Sequence, residues 1–336
     1  YCRIMAKRKV LMFGWEYPPH HSGGLGVACK GLAHALIDNE THVCFVLPKT
    51  VHIDDKKISL KFADKKPILE EYSTTETSVL LETLAREIQN PYITHTEYEK
   101  KVSLFIKYGG KMVPRTLLQQ VDHYGEMVPN LLSQDLGDFD VIHAHDWLCF
   151  PAGVRAKKLS GKPLIAHIHA TEFDRCGGNH VNQLVYDRER EGMHVADHVV
   201  TVSELTKKII IDKYGVPEHK ITVVHNGNAP VADYKESRFK NLTTLKEQGN
   251  KVVLFAGRLT IQKGVDYFVH AAKKVLEYKK NIYFIIAGTG DMEHQIIELT
   301  SHLGIKNHFI FTGYYTLSEQ NDLFACADVV VMPSVF

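Results

Sequence analysis

The sequence predicts an α/β protein of two Rossmann-like domains, the second of them cut short. Three observations carry that expectation. Short apolar runs alternate with stretches of helical spacing, and strand–helix–strand units of this kind feed parallel sheets. The alternation runs twice along the chain, on either side of a polar stretch without strong periodicity. The 336 residues also exceed the roughly 250–300 at which a single core stops growing.

The first series opens with Lys9 to Gly14, a short apolar run ending in glycine and read as a buried strand. A polar, proline-rich loop, Trp15 to Gly24, leads into apolar residues at Leu25, Ala28, Leu32, Ala33, Leu36 and Ile37, the spacing of an amphipathic helix. Val43 to Leu47 is the next strand. From Val51 to Gln134 the pattern is weaker: Leu80 to Ile88 reads as helix, Val102 to Lys107 as strand, and Leu117 to Leu132 as helix despite Pro129. Regularity returns with strand Asp140 to His145, helix Pro151 to Leu159, strand Pro163 to His169 and helix Leu184 to Ala196. Strand His198 to Val202, helix Glu204 to Tyr214 and strand Ile221 to His225 follow.

The second series begins at Lys251. It runs strand Val252 to Ala256, helix Val265 to Leu276, strand Ile282 to Ala287, helix Met292 to Leu303, strand His308 to Thr312, helix Leu317 to Ala325 and strand Val329 to Met332. The expected domains are therefore residues 1–228 and 251–336, with a linker at 229–250. A doubly wound half has five or six strands; four are visible here, so the second domain is expected to be incomplete.

Composition narrows the function classes. A formal charge of +1 gives no bulk reason to expect nucleic acid or an anionic membrane as partner. No apolar run approaches the roughly 18 residues of a membrane span, and no secretory signal is visible at Tyr1 to Met5. A cytoplasmic location is the expectation. The six cysteines are scattered without a CxxC pair, so idle thiols are expected rather than a disulfide framework.

Anion handling must then come from local sites. Ser22-Gly23-Gly24-Leu25-Gly26 sits at the start of the first helix, where glycines permit close backbone approach and free N–H groups meet an anion. It reads either as a phosphate loop or as a tight turn, and it is not the full GxGxxG fingerprint. Phe255 to Gly264 places Arg258 and Lys263 beside a helix N-terminus, where the macrodipole disfavours positive charge. A doubly charged ligand shared by both side chains accounts for that; Arg supplies a bidentate fork and Lys a point charge. Gly288 and Gly290, in Ala287 to Asp291, would line the same crevice or form a common turn.

Two histidine pairs, His143/His145 and His167/His169, each lie on one face of a strand. They read as hydrogen-bonding groups for a polar substrate or as a metal site; no carboxylate completes a ligand set, and Asp146 lies past its strand end. No metal is the expectation. His145 and His169 occupy the carboxyl ends that face the ligand crevice, while His143 and His167 read as satisfied core histidines. Glu16, in the first loop, is a candidate carboxylate near the substrate.

Together these segments resemble the GT4 and glycogen/starch synthase-like glycosyltransferases. The stretches are WEYPPHHSGGLG (Trp15 to Gly26), HAHDW (His143 to Trp147), HIHATEFDR (His167 to Arg175), VTVSELTK (Val200 to Lys207), VVHNGN (Val223 to Asn228), FAGRLTIQKG (Phe255 to Gly264), AGTGD (Ala287 to Asp291) and VVVMPS (Val329 to Ser334). The resemblance implies the GT-B fold, two Rossmann-like domains facing a cleft, with the acceptor mostly on the first and the nucleotide sugar mostly on the second. It implies His145 near the transferred sugar, Arg258 and Lys263 on the donor diphosphate, and Gly23 and Gly24 against the phosphates. Glu16, Asp146 and His169 fall on the acceptor and sugar side. It implies no cofactor: a UDP-, ADP- or GDP-sugar is a substrate. One departure stands out. The family's Glu-x7-Glu segment and C-terminal helix have no counterpart before the sequence ends at Val335-Phe336, so the chain as given is expected to bind donor poorly.

The expected activity is transfer of a hexosyl unit, glucose first among candidates, to an acceptor hydroxyl such as that of a glucan, with retention of configuration. Retaining hydrolases use two carboxylates about 5 Å apart; no such pair is evident, which favours front-side attack over a covalent route through Glu16. The competing readings are a sugar-nucleotide epimerase or a phosphorylase of the same fold, and a non-catalytic nucleotide-sugar-binding protein.

Overall fold

The computed structural model describes residues 8–20, 24–64, 80, 84, 95–107, 116–133, 136–177, 180–227 and 239–335. Gly23 and residues 229–238 of the expected linker lie outside the described residues, as does the expected helix 80–88 apart from Leu80 and Leu84, which are helical. The chain divides into two compact units, Tyr1–Glu172 with Val181–Asn228, and Phe173–His180 with Ala229–Phe336.

In the first unit, β1 (Lys9–Phe13), α1 (Gly24–Asp38), β2 (His42–Lys49) and β3 (Ser59–Asp64) come first. Then follow α2 (His95–Lys107), α3 (Leu117–Ser133), β4 (Val141–His145), α4 (Asp146–Ser160), β5 (Leu164–Ile168) and the short α5 (Glu172–Cys176). The series ends with α6 (Gln183–Val195), β6 (His198–Thr201), α7 (Glu204–Ile209) and β7 (Ile221–Val223). All seven strands pair in parallel, in the order β3-β2-β1-β4-β5-β6-β7.

Alternation explains how the sheet is covered. Val10 and Met12 of β1 and Val43, Phe45 and Leu47 of β2 bury one face against Cys29 and Ala33 of α1. Phe13 points to the other face and meets the Tyr124 ring of α3 edge-on at 5.8 Å. A parallel sheet covered on both faces needs such near-continuous apolar strands. Each fully buried side chain of this kind contributes about 1.5–3 kcal/mol. The Tyr124 hydroxyl is satisfied by donating to the carbonyl oxygen of Val46 at 2.8 Å.

Three expectations need correction. Val102 to Lys107 belongs to helix α2, not to a strand; the apolar run VSLFIK reads as a strand in isolation. In the longer window Tyr98, Val102 and Phe105 recur at helical spacing, and Phe105 is buried. Strand β3 stands where no element was expected, because its apolar residues Leu60 and Phe62 are only half buried. Helix α4 begins at Asp146, five residues before Pro151, since β4 passes into it without a loop.

The second unit holds α8 (Lys240–Glu247), β8 (Lys251–Ala256), α9 (Val265–Tyr278), β9 (Ile282–Ala287), α10 (Glu293–His302), β10 (Phe309–Gly313), α11 (Leu317–Ala325) and β11 (Val329–Val330). Its four parallel strands run β10-β9-β8-β11. Phe255, Phe284 and Ile286 pack under Phe268, Val269 and Ala272 of α9 and Ile296 of α10. The alternate residues Val252, Leu254, Ile285 and Ala287 face Leu242 of α8 and Leu323 of α11. Helix α8 stands inside the stretch assigned to the linker, and Phe239 and Leu242 are buried in this second core. Residues 239–250 are thus part of the unit and not a tether. Among the described residues no helix is long and apolar enough to cross a membrane.

Candidate active site

The strand order locates one crevice in each unit. In open α/β sheets ligands bind beyond the carboxyl ends of the strands, where the order reverses. That point lies between β1 and β4 in the first unit and between β8 and β11 in the second. The loop after β1 carries Glu16, and β4 ends at His145.

Glu16 is buried, and its Oε1 accepts the backbone N–H of Gly26 at 3.0 Å. Its carboxylate therefore caps the first turn of α1, taking one of the N–H groups that the glycine loop offers. Gly24 is exposed, with open space where a Cβ would stand. Next to Glu16, the Tyr17 hydroxyl donates to Asp55 Oδ2 at 2.7 Å, and His34 and Lys30 approach the same oxygen at 2.8 and 3.2 Å. Burial alone pushes the Asp55 carboxyl up, but hydrogen bonds from Tyr17, Lys30 and His34 outweigh it and hold it at about 2. Burial, with Asp55 as partner, pushes the Tyr17 phenol up. This anchor fixes the loop that presents Glu16, and nothing in the spacing of Tyr17, Lys30, His34 and Asp55 announces it.

Asp146 takes a left-handed backbone conformation, φ 57°, at the β4–α4 junction. Such a conformation costs a non-glycine residue on the order of 1 kcal/mol or more. The buried Asp146 Oδ1 accepts the backbone N–H of His169 at 2.7 Å, which ties the ends of β4 and β5 together.

The four histidines form two pairs across β4 and β5. His143 Nε2 meets His167 Nδ1 at 3.1 Å, and His145 Nδ1 meets His169 Nε2 at 3.0 Å. The rings stack along each strand, at 4.5 Å for His143 and His145 and 4.3 Å for His167 and His169. Burial pushes all four imidazoles down, His167 to about 3 and His169 to about 4, with neighbouring histidines adding to the effect on His143, His145 and His167. All four are neutral near pH 7, so each pair sets one N–H against one lone pair. Two expectations change. His145 is fully buried rather than open to a crevice, leaving half-buried His169 as the accessible member. His167 is not a fully satisfied core histidine, since its Nε2, like that of His145, is buried without a hydrogen-bond partner among the described residues.

A second buried cluster was missed from sequence. The Glu189 carboxylate accepts the backbone N–H of Glu172 at 3.0 Å and a short hydrogen bond from the Tyr214 hydroxyl, and Glu172 Oε1 accepts the N–H of Asn182. Helical spacing held the signal: Glu189 stands four residues from both Val185 and Met193, on the buried face of α6.

In the second unit the loops after the strands bind one another. Gly257 N donates to Ala287 O at 2.9 Å, Leu259 N to Thr289 O at 3.0 Å, Met292 N to Leu259 O at 3.0 Å and Gly288 N to Gly313 O at 2.9 Å. A Cβ on Gly288 would strike the Gly257 carbonyl, and one on Gly290 would fall within 3.0 Å of three backbone atoms of Leu259. Loop packing therefore already requires glycine at both positions. Lys263 ends a short turn, Ile261–Lys263, and Gly264 (φ 63°) starts α9 in a left-handed conformation. Arg258 and Lys263 are both half buried. Burial, then the Arg258 charge, pushes the Lys263 ammonium down. Among the described residues Lys263 has no carboxylate partner, so the two cations converge on a place suited to an anion.

Comparison with known proteins bears on the fold and the enzyme class. Residues 111–228 match the model for Glycosyltransferase Family 4, and residues 236–336 match that for Glycosyl transferases group 1. An uncharacterized glycosyltransferase of Methanocaldococcus jannaschii is 29% identical over 347 residues, covering 98% of this chain and 75% of that protein. The glycogen synthase of Mycobacterium tuberculosis is 25% identical over 331 residues, covering 97% of this chain and 72% of its own. Anabaena HepE, crystallised with UDP and glucose, superposes with a TM-score of 0.62 at 17% identity, over 97% of this chain and 74% of that one. With a Glycosyltransferase Family 4 match and a Glycosyl transferases group 1 match in order on two parallel α/β units, the chain is a glycosyltransferase, and its fold is that of the GT-B structures.

Proposed function

We propose that the protein is a retaining hexosyltransferase that moves a sugar, glucose first among candidates, from a nucleoside diphosphate sugar to an acceptor hydroxyl, with a glucan among the candidate acceptors. The observation that carries the donor assignment is the convergence of Arg258 and Lys263, half buried, mutually repelling and, among the described residues, without a carboxylate on Lys263. Two cations held this way are stabilised by a diphosphate, and most of all when charge grows on it as the glycosidic bond breaks. Stabilising such charge is usually the largest catalytic contribution. Arg258 supplies parallel N–H donors and Lys263 a compact charge. Gly288 and Gly290 let the neighbouring loop pack closely enough to hold Arg258 in place.

His169, the half-buried member of the pair it forms with His145, is assigned to the sugar side, its backbone held by Asp146. Its neutral imidazole suits a hydrogen bond to a hydroxyl rather than a role as a cation. The Glu16 carboxylate is committed to the α1 N-terminus, which supports front-side attack over a covalent glycosyl-enzyme: the acceptor oxygen bonds to the anomeric carbon as the C–O bond to phosphate breaks, and the departing phosphate oxygen takes the acceptor proton.

The test is nucleoside diphosphate release from UDP-, ADP- and GDP-sugars by the protein expressed from its complete reading frame, with and without glucan and small-sugar acceptors. Release that requires one donor and one acceptor is the expected result, and Arg258→Ala lowers it by about 100-fold or more. Nucleotide binding with no release from any donor would overturn the transferase reading in favour of a sensor.

A further inference from the structure

One face of α3 gathers the ends of three strands. Gln120, His123 and Tyr124 stand three and four residues apart, so they are neighbours on that face. The Tyr124 ring meets the indole of Trp15, the second residue after β1, edge-on at 6.2 Å. Gln120 Oε1 accepts a hydrogen bond of 2.7 Å from Lys49 Nζ at the end of β2. His123 Nε2 lies 3.5 Å from Asp64 Oδ2 at the end of β3. We infer that Trp15, Lys49 and Asp64 form a binding subsite for a neutral carbohydrate.

Ligands of open α/β sheets bind beyond the carboxyl ends of the strands, and β1, β2 and β3 are neighbours in the sheet. The indole is held in place before any ligand arrives. Gly14 N donates to Val46 O at 3.0 Å, and the Gly14 carbonyl accepts the Tyr124 hydroxyl at 3.3 Å. A Cβ on Gly14 would strike the Phe45 ring, so the chain entering Trp15 cannot shift. Gly14 and Glu16 are buried on either side, yet Trp15 stays half buried. A fixed, partly exposed indole can stack on the apolar C–H face of a sugar ring at little entropic cost.

The polar groups suit the rest of such a ligand, because hydroxyls both donate and accept. Lys49 supplies donors and Asp64 acceptors. The two are paired in register on adjacent strands, whose backbones run about 4.8 Å apart. A cation and a carboxylate so placed balance each other, which favours a neutral sugar over a phosphorylated or acidic one. Packing alone would explain the covered part of the indole. It gives no reason for a buried amide, Gln120, to hold the Lys49 ammonium against the helix face that supports Trp15.

The role of the subsite rests on the transferase reading. With the donor assigned to Arg258 and Lys263 of the second unit, a sugar held at Trp15 in the first unit is the acceptor. The acceptor hydroxyl then belongs to a sugar or a glycan end.

The test titrates glucose, galactose, mannose, N-acetylglucosamine and their short oligomers into the full-length protein without donor. Tryptophan fluorescence and calorimetry both read binding. The 336 residues hold two tryptophans, and the other, Trp147, is buried in α4. At least one sugar should give a saturable fluorescence change that Trp147→Phe keeps and Trp15→Phe loses. By calorimetry Trp15→Ala should weaken that binding about tenfold or more, and Trp15→Phe, which keeps a ring, far less. Lys49→Ala should weaken it about threefold or more, a check that survives if Trp15→Ala fails to fold. Absence of saturable binding by every neutral sugar, or binding unchanged in Trp15→Ala, would overturn the assignment. Sugar binding without nucleoside diphosphate release would sink the transferase reading and keep the subsite. Release that requires a non-carbohydrate acceptor, with no sugar bound, would do the reverse.

Discussion

Gly290→Ala tests whether the loops after β8 and β9 are packed as described. The new methyl would fall within 3.0 Å of the carbonyl oxygen, carbon and nitrogen of Leu259, where carbon contacts prefer about 3.5–4.0 Å. The loops must part by about 1 Å. No positive φ complicates the position, so the cost is steric, about 1–3 kcal/mol for overpacking. Parting the loops also strains the bonds from Leu259 N to Thr289 O and from Met292 N to Leu259 O, both 3.0 Å, each contributing about 0.5–1.5 kcal/mol. The total, about 2–6 kcal/mol, is a large share of the 5–15 kcal/mol that typically holds a domain folded. It should lower the melting temperature of the second unit by about 10–20 °C. Calorimetry read beside Gly227→Ala gives the comparison, because Gly227 has open space around it and should stay within about 0.5 kcal/mol of the parent. Equal melting of the two variants would refute the loop packing. Nucleoside diphosphate affinity should fall with stability in Gly290→Ala, because Arg258 sits one residue from the displaced Leu259.

Further outcomes follow from the same geometry. Lys263 is held below the ordinary lysine range, so on the proposed donor assignment nucleoside diphosphate affinity falls as pH rises through that lowered value, the anion-binding cation being lost. Lys263→Arg should remove this alkaline loss, and binding isotherms between pH 7 and 10 would show it; an unchanged pH slope would exclude Lys263 from the site. Glu16→Gln keeps an oxygen acceptor for Gly26 N but no charge, so it should retain most of the stability, whereas Glu16→Ala should cost about 0.5–2 kcal/mol as a lost helix cap. Full activity in Glu16→Gln would rule out a nucleophilic carboxylate there. Glu189→Ala removes the buried hydrogen bonds from the Glu172 N–H and the Tyr214 hydroxyl, about 0.5–3 kcal/mol each, measured by urea unfolding. Asp55 is held at about 2, below its unfolded value. It therefore adds stability that is present above pH 4 and lost as pH falls toward 2; Asp55→Asn should flatten that limb of the acid-unfolding curve.

Legibility in the sequence followed the strength of local patterns. Strands β1, β4, β5, β8 and β9 were visible because a parallel sheet buried on both faces demands unbroken apolar runs. β3 was not, because its Leu60 and Phe62 are only half buried. Helix α2 was misread for a related reason: six consecutive residues carried the apolar run, and only the longer window shows the helical period. Arg258 and Lys263 were legible through a local conflict, cations at a helix N-terminus. The histidine pairs were legible through alternation, but their burial and mutual hydrogen bonds were not. The Tyr17–Asp55 anchor and the Glu189 cluster likewise depend on long-range contacts, although the apolar neighbours of Glu189 did carry a helical signal. The Pro151 start assigned to α4 failed because β4 turns directly into the helix through left-handed Asp146.

The order of the seven-stranded sheet has a consequence during synthesis. β1 lies between β2, which closely follows it, and β4, which emerges about 90 residues after β2. At about 5–20 residues per second on the ribosome, the β4 side of β1 stays unpaired for roughly 5–20 s. That edge presents the backbone of Leu11, Met12 and Phe13, which are almost fully buried once folding is complete. Unpaired apolar edges are templates for pairing with other chains. The yield of soluble protein in a cell should therefore depend on the elongation rate and on chaperones that shield this edge, more than on the stability of the finished fold.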